Sequence, residues 1–176
     1  MFNIQAEPRS TGVKAKHLRQ QGLIPGCVYG ADIDKSIPLQ IAESEIKKLL
    51  KTKTEGGKVS LRLDGKKTDV LLREISRHPV NRKIEHISFQ RIKGDETVNN
   101  AAQIVLVNKD KIPLFVNQII FSIPYRSPAS KIIEKIEIDL EGMHEGGSIK
   151  VNDLDIAGDE DIELMIDPES LVISIS

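Results

Sequence analysis

The sequence predicts a mainly β protein with a few short helices, in two domains: a basic one over residues 1–93 and an acidic, all-β one over residues 94–176. Three observations carry that expectation. Apolar and polar residues alternate in most runs of both halves, which is the period of half-buried strands. Turn residues punctuate those runs at hairpin spacing, and helical periodicity is confined to two short stretches of the first half. Charge also changes sign along the chain. Residues 1–93 hold 19 Lys+Arg against 10 Asp+Glu, net +9, residues 94–176 hold 6 against 16, net −10, and the sum is −1. That asymmetry points to a polyanion partner for the first half and to solvent or a basic partner for the second. Solvated charged faces on both halves are the alternative.

Taken in order, Phe2, Ile4 and Ala6 alternate with Asn3, Gln5 and Glu7 as a strand closed by Pro8. Arg9 follows, then TGVKAKHLRQQ, a loop tightening into a short helix that ends at Gly22 and offers Lys14, Lys16, His17 and Arg19. Ile24-Pro25-Gly26 reads as a turn, and Cys27-Val28-Tyr29 as a brief strand whose phenol either meets a ligand or packs in the core. Residues 36–41 alternate as a strand. Ile46, Leu49 and Leu50 then fall at i, i+3, i+4 in an amphipathic helix whose lysines face water. Val59, Leu61 and Leu63 lead into Asp64-Gly65, and TDVLLREI returns, which is a hairpin by turn chemistry and by period. Beyond Phe89 the periodicity fades and the charge changes sign, placing the boundary between Ile92 and Val98. The second half reads as the strands QIVLV, KIPLFVNQIIFSIPY, KIIEKIEIDL, SIKV, IELMI and LVISI in an antiparallel sheet or sandwich, with Pro113 and Pro124 at strand ends or edges.

The chain is organised around residues 75–89, ISRHPVNRKIEHISF. It reads as strand, bend, strand, with Pro79 stiffening a corner that displays Arg77, His78, Arg82, Lys83 and His86 against one carboxylate, Glu85. Guanidinium and imidazole groups on a rigid corner, without a nucleophile, suit binding an anion.

Other chemistries fail on their own residues. DLDIAGDEDIEL puts Asp153, Asp155 and Gly158 at calcium-loop positions, but Ala157 and Leu164 stand where oxygen ligands are needed. GADIDKS has Asp34 where a phosphate loop needs glycine. His17, His78, His86 and Cys27 lack paired zinc spacing, so no metal and no cofactor is expected. Cys27, in apolar IPGCVYG, has no base beside it and reads as a small core residue. A hydrolase using His78 and His86 lacks a nucleophile, so the chain does not read as an enzyme. Only six aromatics argue against a stacking platform for single strands and leave structured RNA, read through phosphates, 2′-hydroxyls and groove shape. No run approaches the ~18 apolar residues of a membrane span and no secretion signal is visible, so a cytoplasmic protein is expected.

LRQQGLIPGCVYG from Leu18 and REISRHPVNRKIEHISF from Arg73 resemble the bacterial large-subunit ribosomal protein twenty-five family, whose two-domain members are called CTC or general stress protein. The resemblance spans the chain, in the second half more by layout. It implies an amino-terminal β-barrel similar to the anticodon-binding domains of glutaminyl-tRNA synthetase, binding 5S rRNA, and an acidic carboxy-terminal β-domain. The net charge of −10 on that domain makes neighbouring large-subunit ribosomal proteins, basic ones, its expected contact. The RNA-facing residues that the resemblance implies are Arg9, Lys16, Arg19, Tyr29, Arg73, Arg77 and His86, with Lys14 and His78 close by. Neither a membrane nor a small-molecule substrate is implied. Ser88 departs from the family's H-I/V-D-F, where an aspartate stands. The competing expectation is a stress-linked protein-interaction module with non-specific RNA binding.

Overall fold

Alternation is realised first in β1 (Phe2–Pro8), where Ile4 and Ala6 are buried between exposed neighbours. In the computed structural model, which describes residues 2–30, 32–94 and 96–176, the chain divides into two units, Met1–Lys93 and Gly94–Ser176.

The first unit continues with α1 (Ala15–Gln20), β2 (Leu23–Gly30), β3 (Ile33–Ala42), α2 (Glu43–Leu49), β4 (Lys58–Leu63), β5 (Lys66–Arg77) and β6 (Ile84–Arg91). Its six strands close into a barrel in the order β1-β3-β2-β6-β5-β4, with β1–β4 and β2–β6 parallel and the other pairs antiparallel. The barrel is filled by Ile4, Leu39, Ile41, Leu61, Val70, Leu72, Ile87 and Phe89, and α2 adds Ile46 and Leu49. Glu43 and Glu45 in the first turn of α2 and Lys47 and Lys48 in its last complement the helix dipole and pair at 2.8 Å, Lys47 with Glu43 and Lys48 with Glu45. Between β4 and β5, Asp64 (φ 49°) and Gly65 (φ 76°) both lie in the left-handed region that a two-residue hairpin turn demands.

Two expectations are corrected here. Pro25 and Gly26 make no turn, because β2 runs through them paired with Gln40 and Leu39 of β3. Gly26 is there for closeness: a Cβ would lie 2.5 Å from the Ile87 carbonyl oxygen on β6. Cys27 is not in the core. It alternates with core residue Val28, pairs with Pro38 and Ser88, and sits half-buried on the outer face.

The second unit holds β7 (Thr97–Val107), β8 (Val116–Gln118), β9 (Ser122–Pro128), β10 (Lys135–Asp139), β11 (Ser148–Lys150), β12 (Glu163–Leu164) and β13 (Leu171–Ile175). Two sheets, β10-β7-β9-β12 and β11-β13-β8, share one core that includes Ile104, Ile123, Tyr125, Ile138, Val172 and Ile175. Among the described residues the helical segments of this unit are short 3₁₀ turns at Lys109–Lys111, Val151–Asp153 and Asp155–Gly158. The pairing is not wholly antiparallel, because β10 runs parallel to β7. After β9 the chain crosses to the far side of β7, and the buried Tyr125 hydroxyl holds that crossing by donating to the Ile133 carbonyl and accepting its N–H, each at 2.8 Å.

Pro124 lies inside β9, an interior strand, and not at an end. Its carbonyl accepts from Met165 N–H at 2.9 Å on the β12 side, and a strand residue's nitrogen faces the same way as its carbonyl. The missing N–H therefore faces a two-residue edge strand and costs the β7 ladder nothing.

Candidate nucleic-acid interface

Along β6 the core residues Ile87 and Phe89 alternate with His86, Ser88 and Gln90, which project from the outer face of the barrel. On β2 the same alternation puts Tyr29 outward beside Gln90, 38% exposed. A register shift between Leu72 and Glu74 on β5 re-aims Arg73, whose Nε donates to Gln90 Oε1 at 2.7 Å. Tyr29, Arg73, Gln90, Ser88 and His86 thus share one face, about 13 Å from His86 to Gln90 at the rise of a strand.

Arg9, just past β1, electrostatically reaches His86 and donates through Nη2 to the Val13 carbonyl at 2.9 Å, bracing the loop that leads to α1. Its buried Nε has no hydrogen-bond partner. Burial lowers the His86 pKa, Glu74 draws it partly back up, and Arg9 adds to the lowering, so the ring is neutral near pH 7. Burial and then Glu74 push the Cys27 thiol up, the opposite of what a nucleophile needs. Ser88, 6% exposed, pairs across the ladder with Glu74. An aspartate at Ser88 would set two carboxylates opposite each other, and Ser88 avoids that repulsion.

Of the other expected residues, Lys16, Arg19, Arg77 and His78 gather at the end of the barrel where β2 and β6 begin. Lys14 precedes α1 and is exposed, as is Lys16. Arg19 is half-buried and donates to the Glu85 carbonyl at 3.1 Å, which ties α1 to β6. Arg77 ends β5 and reaches the Arg82 carbonyl with Nη1 at 3.4 Å. His78 Nδ1 accepts from the N–H groups of Val80 and Asn81 at 3.3 and 3.4 Å. The nine expected residues therefore divide between an outer face (Arg9, Tyr29, Arg73, His86) and a barrel end (Lys16, Arg19, Arg77, His78), with Lys14 on the loop that joins Arg9 to α1.

Alternation around His86 carried the signal for Gln90, which the sequence reading passed over. Lys47 and Lys51, read as facing water, line a groove of about 330 Å³ with Arg77, Arg82 and Lys83. No sequence signal links α2 to a corner some thirty residues on. Glu85 is not the only acid nearby, since Glu43 enters from α2. Among the described residues, no group of three or more His, Cys, Asp or Glu is placed to hold a metal ion.

Residues 4–89 match the Ribosomal L25p family, and residues 97–176 match the C-terminal domain of ribosomal protein TL5. Similar proteins include the large ribosomal subunit protein bL25 of Caldanaerobacter subterraneus, 27% identical over 181 residues, with 99% of this chain and 88% of the relative covered. The bL25 of Nitrosomonas europaea is 26% identical over 166 residues, covering 90% and 83%. That of Exiguobacterium sibiricum is 31% identical over 153 residues, covering 85% and 66%. A barrel matched by one family model and a β-domain matched by the other, with relatives aligned across both, place the chain in the bacterial bL25 family, which is structural and not enzymatic.

Proposed function

We propose that the protein is a structural constituent of the large subunit of the bacterial ribosome, located with it in the cytoplasm, and that its barrel binds 5S rRNA. The observation that carries this reading is the outer face of β2, β5 and β6. There a phenol, an amide, an imidazole and a guanidinium stand side by side, with cations beyond them at the barrel end. Such a face suits a structured RNA whose groove displays base edges and 2′-hydroxyls. Tyr29 offers a stacking surface, Gln90 keeps its amide N–H₂ for a base edge or ribose while Arg73 holds its oxygen, and neutral His86 donates to a hydroxyl or phosphate. Arg73, Arg77, Lys14 and Lys16 contribute phosphate neutralisation.

The acidic unit repels RNA and is assigned to protein contact. Asp153, Asp155, Asp159, Glu160 and Asp161 line one open depression in which Lys131 is already bridged to Asp159 and Asp161. A basic neighbouring ribosomal protein is the complementary partner.

The test is retention of labelled 5S rRNA by the full chain against transfer RNA as competitor, at two salt concentrations. Selective, salt-sensitive binding that Tyr29→Ala weakens by about 1–3 kcal/mol is the expected result. Equal binding to both RNAs would leave a generic basic surface, and no binding would refute the 5S assignment.

A further inference from the structure

The corner between β5 and β6 is held more firmly than a loop needs for connection. His78 N–H donates to the Lys83 carbonyl at 2.8 Å, Arg82 N–H to the His78 carbonyl at 3.0 Å, and Lys83 N–H to Asn81 Oδ1 at 3.0 Å. Within it Arg82 adopts φ 58°, a left-handed conformation suited to glycine or asparagine and costly for arginine. The backbone therefore gains nothing from arginine at this position, which leaves the side chain as the reason for it.

That side chain lines a groove between the corner and α2, and the groove has a second lobe running toward α1. Glu43, Asn81, Lys83 and Ile84 are common to the walls of both lobes, of about 330 and 520 Å³. Lys51, Arg82 and Lys83 stand in one and Lys16 in the other, with Lys83 shared. Among the described residues none of these four makes an ion pair. Glu43, the acid both lobes share, is already bonded to Lys47 at 2.8 Å. The groove thus presents unpaired cations beside the fixed corner, lined by no Phe or Tyr, with His78 as its one ring among the described residues and Glu85 as the second acid of the lobe toward α1. It lies at the barrel end, whereas Tyr29 and Gln90 lie toward the far end of β2 and β6.

We propose that this groove is a second RNA contact, a phosphate clamp in which Lys51, Arg82, Lys83 and Lys16 grip the sugar–phosphate backbone of a strand lying away from the Tyr29–His86 face. It rests on the 5S rRNA reading and adds to it a division of labour. The outer face recognises, and the barrel end supplies electrostatic, sequence-independent affinity.

The experiment is the salt dependence of 5S rRNA binding by the full chain, the triple variant Lys51→Ala/Arg82→Asn/Lys83→Ala, and Tyr29→Ala. Each lost phosphate contact should flatten the log–log salt slope by about 0.7–0.9, so the triple variant should differ by roughly 2 to 3 and bind roughly five- to eightfold more weakly per contact at 0.1 M salt. Tyr29→Ala should weaken binding at an unchanged slope. Arg82→Asn alone should bind more weakly yet melt at a higher temperature, because asparagine accepts the left-handed conformation. A wild-type slope in the triple variant, with the parent binding 5S rRNA normally, would overturn the clamp and leave the 5S reading standing. A lower melting temperature for Arg82→Asn would assign that residue to folding and overturn its part. A parent chain that shows no selective binding would overturn the 5S reading, and the clamp with it.

Discussion

Gly26→Ala tests the packing that holds the outer face together. The added Cβ would sit 2.5 Å from the Ile87 carbonyl oxygen, and 2.9 Å from both Ile87 Cγ2 and Leu39 Cδ1, where ordinary contact begins at 3.4 Å. The carbonyl belongs to β6 and cannot swing aside, so β2 and β6 must part by 3.4 − 2.5 = 0.9 Å. Overpacking of this kind costs about 1–3 kcal/mol, and the reduced freedom of alanine in the unfolded chain returns about 0.4–1 kcal/mol. With the clash against backbone, a net loss of about 2 kcal/mol is expected, or about 8–16 °C in the melting temperature of a unit this size. Scanning calorimetry with circular dichroism reads it. The control is Gly12→Ala, whose Cβ would meet nothing closer than Ser10 Oγ at 3.9 Å and which should be neutral or slightly stabilising. RNA affinity should fall with Gly26→Ala, because the same strand pair sets Tyr29 beside Gln90. A variant melting at or above the parent would refute the claim that Gly26 is required for close approach.

Two further outcomes are expected. Tyr125→Phe leaves the N–H and C=O of Ile133 without the hydroxyl that serves both, at a buried crossing, and should cost about 1.5–3 kcal/mol in urea unfolding; a loss under 0.5 kcal/mol would show that other groups hold the crossing. The folded pKa of His86 lies below its unfolded 6.5, so the unfolded chain binds the extra proton first and stability should fall as pH drops through 6.5, levelling off below the folded pKa. His86→Gln should remove that part of the pH dependence, and an unchanged stability profile between pH 7 and 5 would refute the assignment.

What was legible in the sequence was local in origin. The alternation of Ile4 and Ala6, the i, i+3 spacing of Ile46 and Leu49, the Asp64-Gly65 turn and the Pro79 corner each depend on a few adjacent residues, and the structure contains all four. The mainly β character and the opposite charges of the two halves follow from pattern and composition alone. Pro25-Gly26 misled because turn chemistry is a local prior, while Gly26 answers to Ile87 sixty-one positions away. Pro124 misled because a proline is excluded only from the side of a strand that needs its N–H, and which side that is depends on where β12 lands.

The nine candidate binding residues are what the family resemblance implies, and their division between the outer face of the barrel and its end is not written in the sequence. Strand period places His86, Ser88 and Gln90 on one side of β6. Only the closure of the barrel brings Tyr29 and Arg73 to that side, and only the packing of α2 brings Lys47 and Lys51 to the corner at Arg82. Local propensity and charge sum over neighbours in the chain and so are written in its order. A binding surface sums over neighbours in space, which the chain acquires only when its strands pair.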